Sequence, residues 1–435
     1  MSDPAPSHVV RPTRRAEIAA AVTSLEVGTF DPELVIQELV AWGDAMADDP
    51  MLSSMTGFPF LRLWLRAGGL RAMVRREFGE PTPTPWTEES EGRGRTGVFP
   101  VGVVGCWPAG NVEIQPFLTL ACALLGGNAC VLRVPSGLVE QVDRGLNALA
   151  SGTGTGTIAR RVVALSIDRD ASELHGALAA QCDGAMIWGG HDAVMAVRSL
   201  PFPPHARISV FGPRYSIGAV TRDAWTSSPK AAQAVAEKIA RDVWPFEQQA
   251  CSSPQTIYVE RDHGSVAEVG ETGIEAFLEH LQRAFSREAE LHPRASLAPS
   301  LTASIMADRA EWLFAGEGRR ALFPATPDWT ILYGMNIRSP VTRGGRVITV
   351  IAVDAIEDNL GDIGRDVQTL GLACTDKGRE AAIAAAAAGR GCDRIVPFGR
   401  MHVFDTPWDG LPLISPLTRR VRQLYQSVVT VERSA

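Results

Sequence analysis

No stretch of the 435-residue chain approaches the roughly 20 unbroken apolar residues that a membrane-spanning helix requires, so a membrane span is not expected. The opening MSDPAPSHVVRP is polar and proline-rich and lacks an apolar centre. It does not resemble a secretory signal, and a cytoplasmic location is expected. Paired CxxC spacing is missing as well. The seven cysteines, Cys106, Cys122, Cys130, Cys182, Cys251, Cys374 and Cys392, are odd in number, scattered and mostly set in apolar segments, which indicates neither a disulfide framework nor a metal site. There is no internal repeat. Basic charge is not in excess either: a net charge of -7 opposes nucleic-acid binding, which rests on clustered Lys and Arg.

A hydrophobic fraction of 45% with 21% charged residues describes a globular chain, and its length suggests roughly two to three domains. Helical patterning runs from about Arg14 to Phe78 and includes DPELVIQELVAWGDAM, whose Asp-Pro start marks a helix N-terminus. The arginine-rich RLWLRAGGLRAMVRREF has near-helical spacing and reads as a solvated helix face. The segment from Gly79 to Gly97 carries too much Pro, Gly, Glu and Thr for a core and reads as an exposed excursion. Beyond it, short β-rich runs alternate with helical ones, which implies α/β architecture with a parallel sheet. A second α/β region begins near Asp223, and within it REAAIAAAAAGRG reads as a buried helix ending at Gly389. The Gly-x-Gly-x-Gly of SGTGTGTIARRVVALSI follows a helix and precedes a strand. A phosphate loop needs the reverse order, so this is a turn.

Cys251 stands in FEQQACSSPQTIYVE, flanked by Gln248, Gln249, Ser252 and Ser253 and directly ahead of a strand-like run. A packing cysteine usually sits inside an apolar segment, so this neighbourhood points to chemistry. Cys106 lies in the apolar GVVGCWP and reads as a packing residue.

The segment FPVGVVGCWPAGNVEIQPFLTLACALLGGNACVLRVPSG resembles the opening of the cofactor domain in the aldehyde dehydrogenase superfamily, and more closely the LuxC family of acyl-CoA reductases. MIWGGHDAVMAVRS, VFGPRYSIGAV and FEQQACSSPQ agree in order, over roughly Phe99 to Leu417. The resemblance implies that Cys251 is the nucleophile. It implies that Asn111, in PAGN, works with the Cys251 backbone N–H to hold the oxyanion. Arg133 and Ser136, in VLRVPS, correspond to the positions that meet the adenosine ribose. An acidic residue binds the ribose hydroxyls in NAD-preferring members, and its place is held here by Ser136. A 2'-phosphate would then meet a guanidinium and no like charge, so NADPH is expected, with NADH as the alternative. Gly189 and Gly190 correspond to the strand-to-helix turn that faces the cofactor pyrophosphate.

Two departures qualify the match. The glutamate with which hydrolytic aldehyde dehydrogenases activate water is replaced by Val210, so an acyl-cysteine is expected to persist. The Glu-x-Phe-Gly-Pro segment that holds the nicotinamide ribose has no clear counterpart in SPVTRGGRVITVIAVD. Glu247 reads as an exposed loop residue, with a proton donor as the alternative, and Trp408 and Asp409 read as packing at a subunit contact.

The resemblance implies an aldehyde-dehydrogenase-like α/β fold with five parts. These are a helical lead-in over 1–78, an excursion over 79–97, a doubly wound NADP-binding domain over 98–222, a catalytic α/β domain over 223–400, and a C-terminal segment over 401–435. The excursion and the C-terminal segment would form an oligomerisation element, giving a homodimer or homotetramer, and the active site would lie in the cleft between the two α/β domains. The expected reaction is NADPH-dependent reduction of an acyl-CoA or carrier-bound acyl thioester to an aldehyde. The alternatives are a hydrolytic aldehyde dehydrogenase, an acyl-phosphate reductase, and a noncatalytic acyl-transfer or scaffold subunit.

Overall fold

Near-continuous apolar runs such as ACVLR and GAMIW are the pattern of strands covered on both faces, and they become central strands of a parallel sheet. The computed structural model describes residues 8–80, 82, 86–90, 92–152, 156–262, 274–294, 296–316, 318–335, 337 and 344–425. The chain divides into two units, Met1–Gly212 with Phe404–Ala435, and Pro213–Val403.

The strands of the first unit begin with β1 (Val9–Val10), β2 (Trp86–Glu88), β3 (Gly94–Pro100) and β4 (Val103–Trp107). They continue with β5 (Ala129–Arg133), β6 (Val162–Leu165), β7 (Gly184–Trp188) and β8 (Arg207–Phe211). Six of them form a parallel sheet in the order β1-β6-β5-β4-β7-β8. Winding runs outward from β4 to β6, then returns past β4 to β7 and β8. Right-handed crossovers in opposite directions put helices on opposite faces, which makes the sheet doubly wound. One apolar cluster joins Ile18, Leu178 and Val194 of three helices to Val131, Leu165 and Ile187 of the strands. The lead-in helix Pro32–Ala47 is capped by Asp31, as its Asp-Pro start anticipates. It docks through Trp42, whose Nε1 donates to the Gly145 carbonyl at 2.8 Å and whose ring meets Phe117 edge-on.

The second unit carries β9 (Tyr215–Val220), β10 (Pro254–Glu260), β11 (Arg319–Leu322), β12 (Thr330–Met335), β13 (Val347–Val353), β14 (Val367–Ala373) and β15 (Arg394–Pro397). Their order is β11-β12-β13-β10-β9-β14-β15, with every pair parallel except β11 and β12. Strand β10 is central and buried throughout. Its Ile257 and Val259 face one apolar cluster and Tyr258 the other, the alternation that a strand dictates. In the first unit, β16 (Thr418–Leu424) pairs antiparallel with β3, which pairs with β2, so the expected excursion and C-terminal segment meet in one three-stranded sheet. Residues 426–435 of that segment lie outside the described residues.

Several expectations need correction. The expected boundary at 222/223 falls at 212/213, because β9 is hydrogen-bonded between β10 and β14 and so belongs to the second sheet. The later boundary falls at 403/404. The alanine-rich helix, Lys377–Arg390, is mostly exposed. It buries only Ile383 and Ala387, and it ends at Gly391, whose positive φ closes the cap. The arginine-rich segment is two helices, Phe58–Trp64 and Ala67–Phe78, with Arg71 paired to Glu33 on the surface. Trp408 and Asp409 are buried within their own unit, in a turn closed by paired backbone bonds between Trp408 and Leu411 and with Trp408 against Phe404.

Candidate active site

Cys251 lies in the turn that feeds β10, at the amino edge of the second unit's sheet, and is partly exposed. The three residues Phe246, Glu247 and Gln248 ahead of it have φ of 57°, 53° and 60°, a left-handed conformation that each non-glycine residue resists. Such a run costs on the order of 1–3 kcal/mol per residue and persists only where its surroundings hold it.

Those surroundings are specific. The Gln248 side chain is fully buried; its Nε2 donates to the carbonyls of Pro254 and Val347, each at 2.8 Å, and its Oε1 accepts from Val347 N at 2.7 Å. Gln255 Nε2 donates to the Gln248 carbonyl at 3.0 Å, and its Oε1 accepts from Gly344 N at 3.2 Å. The Glu247 carbonyl accepts from Gly345 N at 2.7 Å. Glu247 is therefore not a free loop residue. Its carboxylate is fixed by Arg294 at 2.8 Å and Arg346 at 2.5 Å, two guanidiniums whose side chains are only 5% exposed. Arg346 also stacks on Trp244, 4.4 Å from the ring centroid.

On the other side of the cysteine, Ser216 Oγ donates to the Cys251 carbonyl at 2.7 Å, and the buried Ser252 Oγ meets His402 Nδ1 at 2.9 Å. The amide and hydroxyl neighbours that mark Cys251 in the sequence thus serve mainly to hold its backbone. Cys106 has the opposite setting. It is wholly buried on β4, and a hydrogen bond with Cys130 together with burial drives its thiol well above the usual range, which suits packing.

The remaining candidates lie in the first unit, at the carboxyl edge of its parallel sheet. Asn111 is exposed in the loop between β4 and the helix Gln115–Leu125. Gly110 beside it lies against Pro135, since a Cβ there would sit 3.4 Å from the proline Cβ. Arg133 ends β5 and Ser136 is exposed three residues on, so the structure brings the Asn111 loop and the Arg133–Ser136 turn side by side. Gly189 and Gly190 follow β7, and Gly190 caps the helix His191–Arg198. Strand β4 separates β5 from β7, so these elements flank the point where winding reverses, the place where such sheets bind nucleotides.

The donor set fits a dinucleotide. Arg133 Nε is buried without a hydrogen-bond partner, and the space in front of Gly190 holds no heavy atom within 4 Å of a Cβ position. Val210 lies on β8 level with Ile187, half-buried against the apolar cluster of the first unit. Among the described residues no group of three or more His, Cys, Asp or Glu could hold a metal ion, and no helix is long and apolar enough to cross a membrane.

Sequence reasoning missed Arg294, Arg346 and His402. Each reaches the Cys251 loop from at least 47 positions away in the chain, and no local motif announces them.

A family model described as acyl-CoA reductase (LuxC) matches residues 41–422. A long-chain acyl-protein thioester reductase of Aliivibrio fischeri is 26% identical over 219 residues, which are 50% of this chain and 42% of that protein. The chain therefore matches under half the length of that relative. Among solved structures, an NADP-dependent enzyme of E. coli superposes with a TM-score of 0.69 at 14% identity, over 94% of this chain and 90% of that one. An aldehyde dehydrogenase of Brucella melitensis biovar abortus superposes with a TM-score of 0.66 at 15% identity, over 95% and 90%. The chain has the aldehyde dehydrogenase fold.

Proposed function

This chain belongs to the LuxC family of acyl-CoA reductases, and we propose on that premise that it reduces an acyl thioester, coenzyme A or carrier-bound, to an aldehyde through an acyl-cysteine on Cys251. The observation that carries the reading is the clamped loop. A partly exposed thiol follows a left-handed turn that Glu247, Gln248 and Gln255 clamp in place, which is the preorganisation that a nucleophile needs.

In the first half-reaction the Cys251 thiolate attacks the thioester carbonyl. The carbon–sulfur bond to the carrier breaks, and the carrier leaves as a thiolate that takes a proton. The Cys251 backbone N–H and the Asn111 side-chain amide are the donors assigned to the oxyanion. Arg133, Ser136 and the Gly189–Gly190 turn are assigned to the nucleotide, with NADPH favoured because Ser136 offers no carboxylate against a 2'-phosphate. The nicotinamide, when bound, supplies the hydride. Cys251 then leaves the reduced carbon as the thiolate that began the cycle, while the aldehyde carbonyl forms. Val210 provides no base, so water does not compete for the acyl group.

The test is intact-mass measurement after incubation with a panel of acyl-CoAs and acyl-carrier proteins in the absence of nicotinamide cofactor. One acyl addition on the wild type and none on Cys251→Ala is expected. A wild type that loads no acyl group would overturn the proposal.

A further inference from the structure

At the carboxyl edge of the first unit's sheet stand two guanidiniums, Arg133 and Arg169, that form no ion pair among the described residues. Strand pairing sets Arg133 level with Leu165 of β6, and Arg133 Nη2 donates to the Ile167 carbonyl at 3.3 Å, so the loop that follows β6 runs alongside the arginine. That loop carries Arg169, which is exposed. It is folded into a turn by Ala171 N on the Asp168 carbonyl at 3.1 Å and Ser172 N on the Asp170 carbonyl at 2.8 Å. Arg133 Nε is buried without a partner, and among the described residues neither guanidinium makes an ion pair.

The charge of Arg169 acts on Arg133. Burial, and after it the positive charge of Arg169, hold Arg133 below the usual arginine range, while the Asp168 carboxylate acts in the opposite sense. His175 is kept neutral by burial, and its Nε2 lies 3.1 Å from the Asp168 carbonyl, an acceptor, so that nitrogen carries the proton. Like charges drawn together beside an orphaned donor form an arrangement that a multiply charged anion relieves, and planar guanidiniums match a phosphate in paired hydrogen bonds.

Resting on the proposed assignment of the Arg133–Ser136 turn to the adenosine ribose, we infer that Arg169 joins Arg133 in holding a phosphomonoester on the ribose of an adenine nucleotide. Two substrates of the proposed reaction carry that group. NADPH bears it on the 2' oxygen and coenzyme A on the 3' oxygen. Arg169 is in either case a specificity-determining residue, acting on ribose phosphorylation and leaving the adenine and the 5'-phosphate to other groups.

The experiment is calorimetric titration of the full chain with adenosine 2',5'-bisphosphate, adenosine 3',5'-bisphosphate and AMP, for the wild type, Arg169→Ala and Arg169→Lys. The wild type is expected to bind one bisphosphate at least about tenfold more tightly than AMP. Arg169→Ala should remove most of that margin and leave AMP binding unchanged, and Arg169→Lys should restore part of it. The favoured bisphosphate identifies the source. A margin for the 3' compound alone supports the inference while overturning the NADPH assignment. A wild-type margin that survives Arg169→Ala overturns the inference and leaves the nucleotide assignment standing. Equal binding of all three probes by the wild type overturns both.

Discussion

Ser252 Oγ lies 2.9 Å from His402 Nδ1, and His402 Nε2 lies 2.7 Å from the backbone carbonyl of Asp242. A carbonyl only accepts, so Nε2 holds the ring proton and Nδ1 accepts from the serine hydroxyl. The residue next to the candidate nucleophile is thereby tied to a segment 150 positions further along the chain. That segment is itself tied down by the Asp242 carboxylate, which accepts from Gly399 N at 2.5 Å and Met401 N at 3.2 Å.

The two buried groups predict opposite pH effects on stability. Burial lowers His402 from 6.5 to about 4, so its contribution is complete above the unfolded value and is lost as pH falls toward 4. Burial raises Asp242 from 3.8 to about 7, outweighing the two backbone bonds, so its contribution is complete at low pH and is lost as pH rises through 7. Each slope is limited to about 1.4 kcal/mol per pH unit, and between roughly pH 4 and 6.5 they oppose one another. Melting temperatures across that range should show the gap between wild type and His402→Gln widening as pH rises, and the gap to Asp242→Asn narrowing. Parallel curves for all three proteins would contradict both assignments.

The contrast between the two cysteine settings predicts that Cys251→Ala abolishes acyl loading and aldehyde formation, while Cys106→Ala retains substantial activity. Replacing the wholly buried Cys106 removes one sulfur from a packed strand and should lower stability by about 1 kcal/mol. Intact mass and aldehyde release report the chemistry, and denaturant titration reports the stability. Stoichiometric loading of Cys251→Ala would refute the nucleophile.

Gln248→Leu tests the clamp on the loop. The substitution leaves Val347 N and the carbonyls of Pro254 and Val347 without their side-chain partners in a buried site, at a cost of roughly 3 kcal/mol. Acyl loading should slow at least about tenfold, since a misplaced nucleophile loses the proximity on which the step depends. If the variant unfolds at the wild-type denaturant midpoint and loads at the wild-type rate, the clamp is not what holds the turn.

Val210 separates a reductase from a hydrolase. Wild-type acyl-enzyme should release its acyl group slowly without nicotinamide cofactor, and Val210→Glu should raise that release by at least about tenfold through general-base activation of water. Val210 packs half-buried against an apolar cluster, so a carboxylate there also costs stability. Val210→Gln should lower the melting temperature similarly without raising hydrolysis. Rapid cofactor-independent hydrolysis by the wild type would show that another group activates water.

Much of the architecture was legible because it rests on local patterns. Alternating strand and helix segments, the Asp31–Pro32 helix start and the Gly189–Gly190 turn each depend on residues within a few positions of one another, and the doubly wound sheet follows from them by connection rules. The unit boundary was misplaced because nothing in SIGAV says which sheet a buried strand will join. Hydrogen bonding to β10 and β14 decides that.

The sequence by itself determined which cysteine differs from the others, where a glycine pair turns a strand into a helix, and that no base stands at Val210. Tertiary structure alone decided what the polar neighbours of Cys251 do. Gln248 and Ser252 read as chemistry in one dimension, yet they bond to Val347 and His402, 99 and 150 positions away. It also made Glu247 an ion-pair anchor and brought Arg169 beside Arg133. The physical reason is the range of the interactions. Period and turn preference act over a few residues, whereas a buried amide, a paired carboxylate or two neighbouring guanidiniums acquire their function only from partners that folding delivers from elsewhere in the chain.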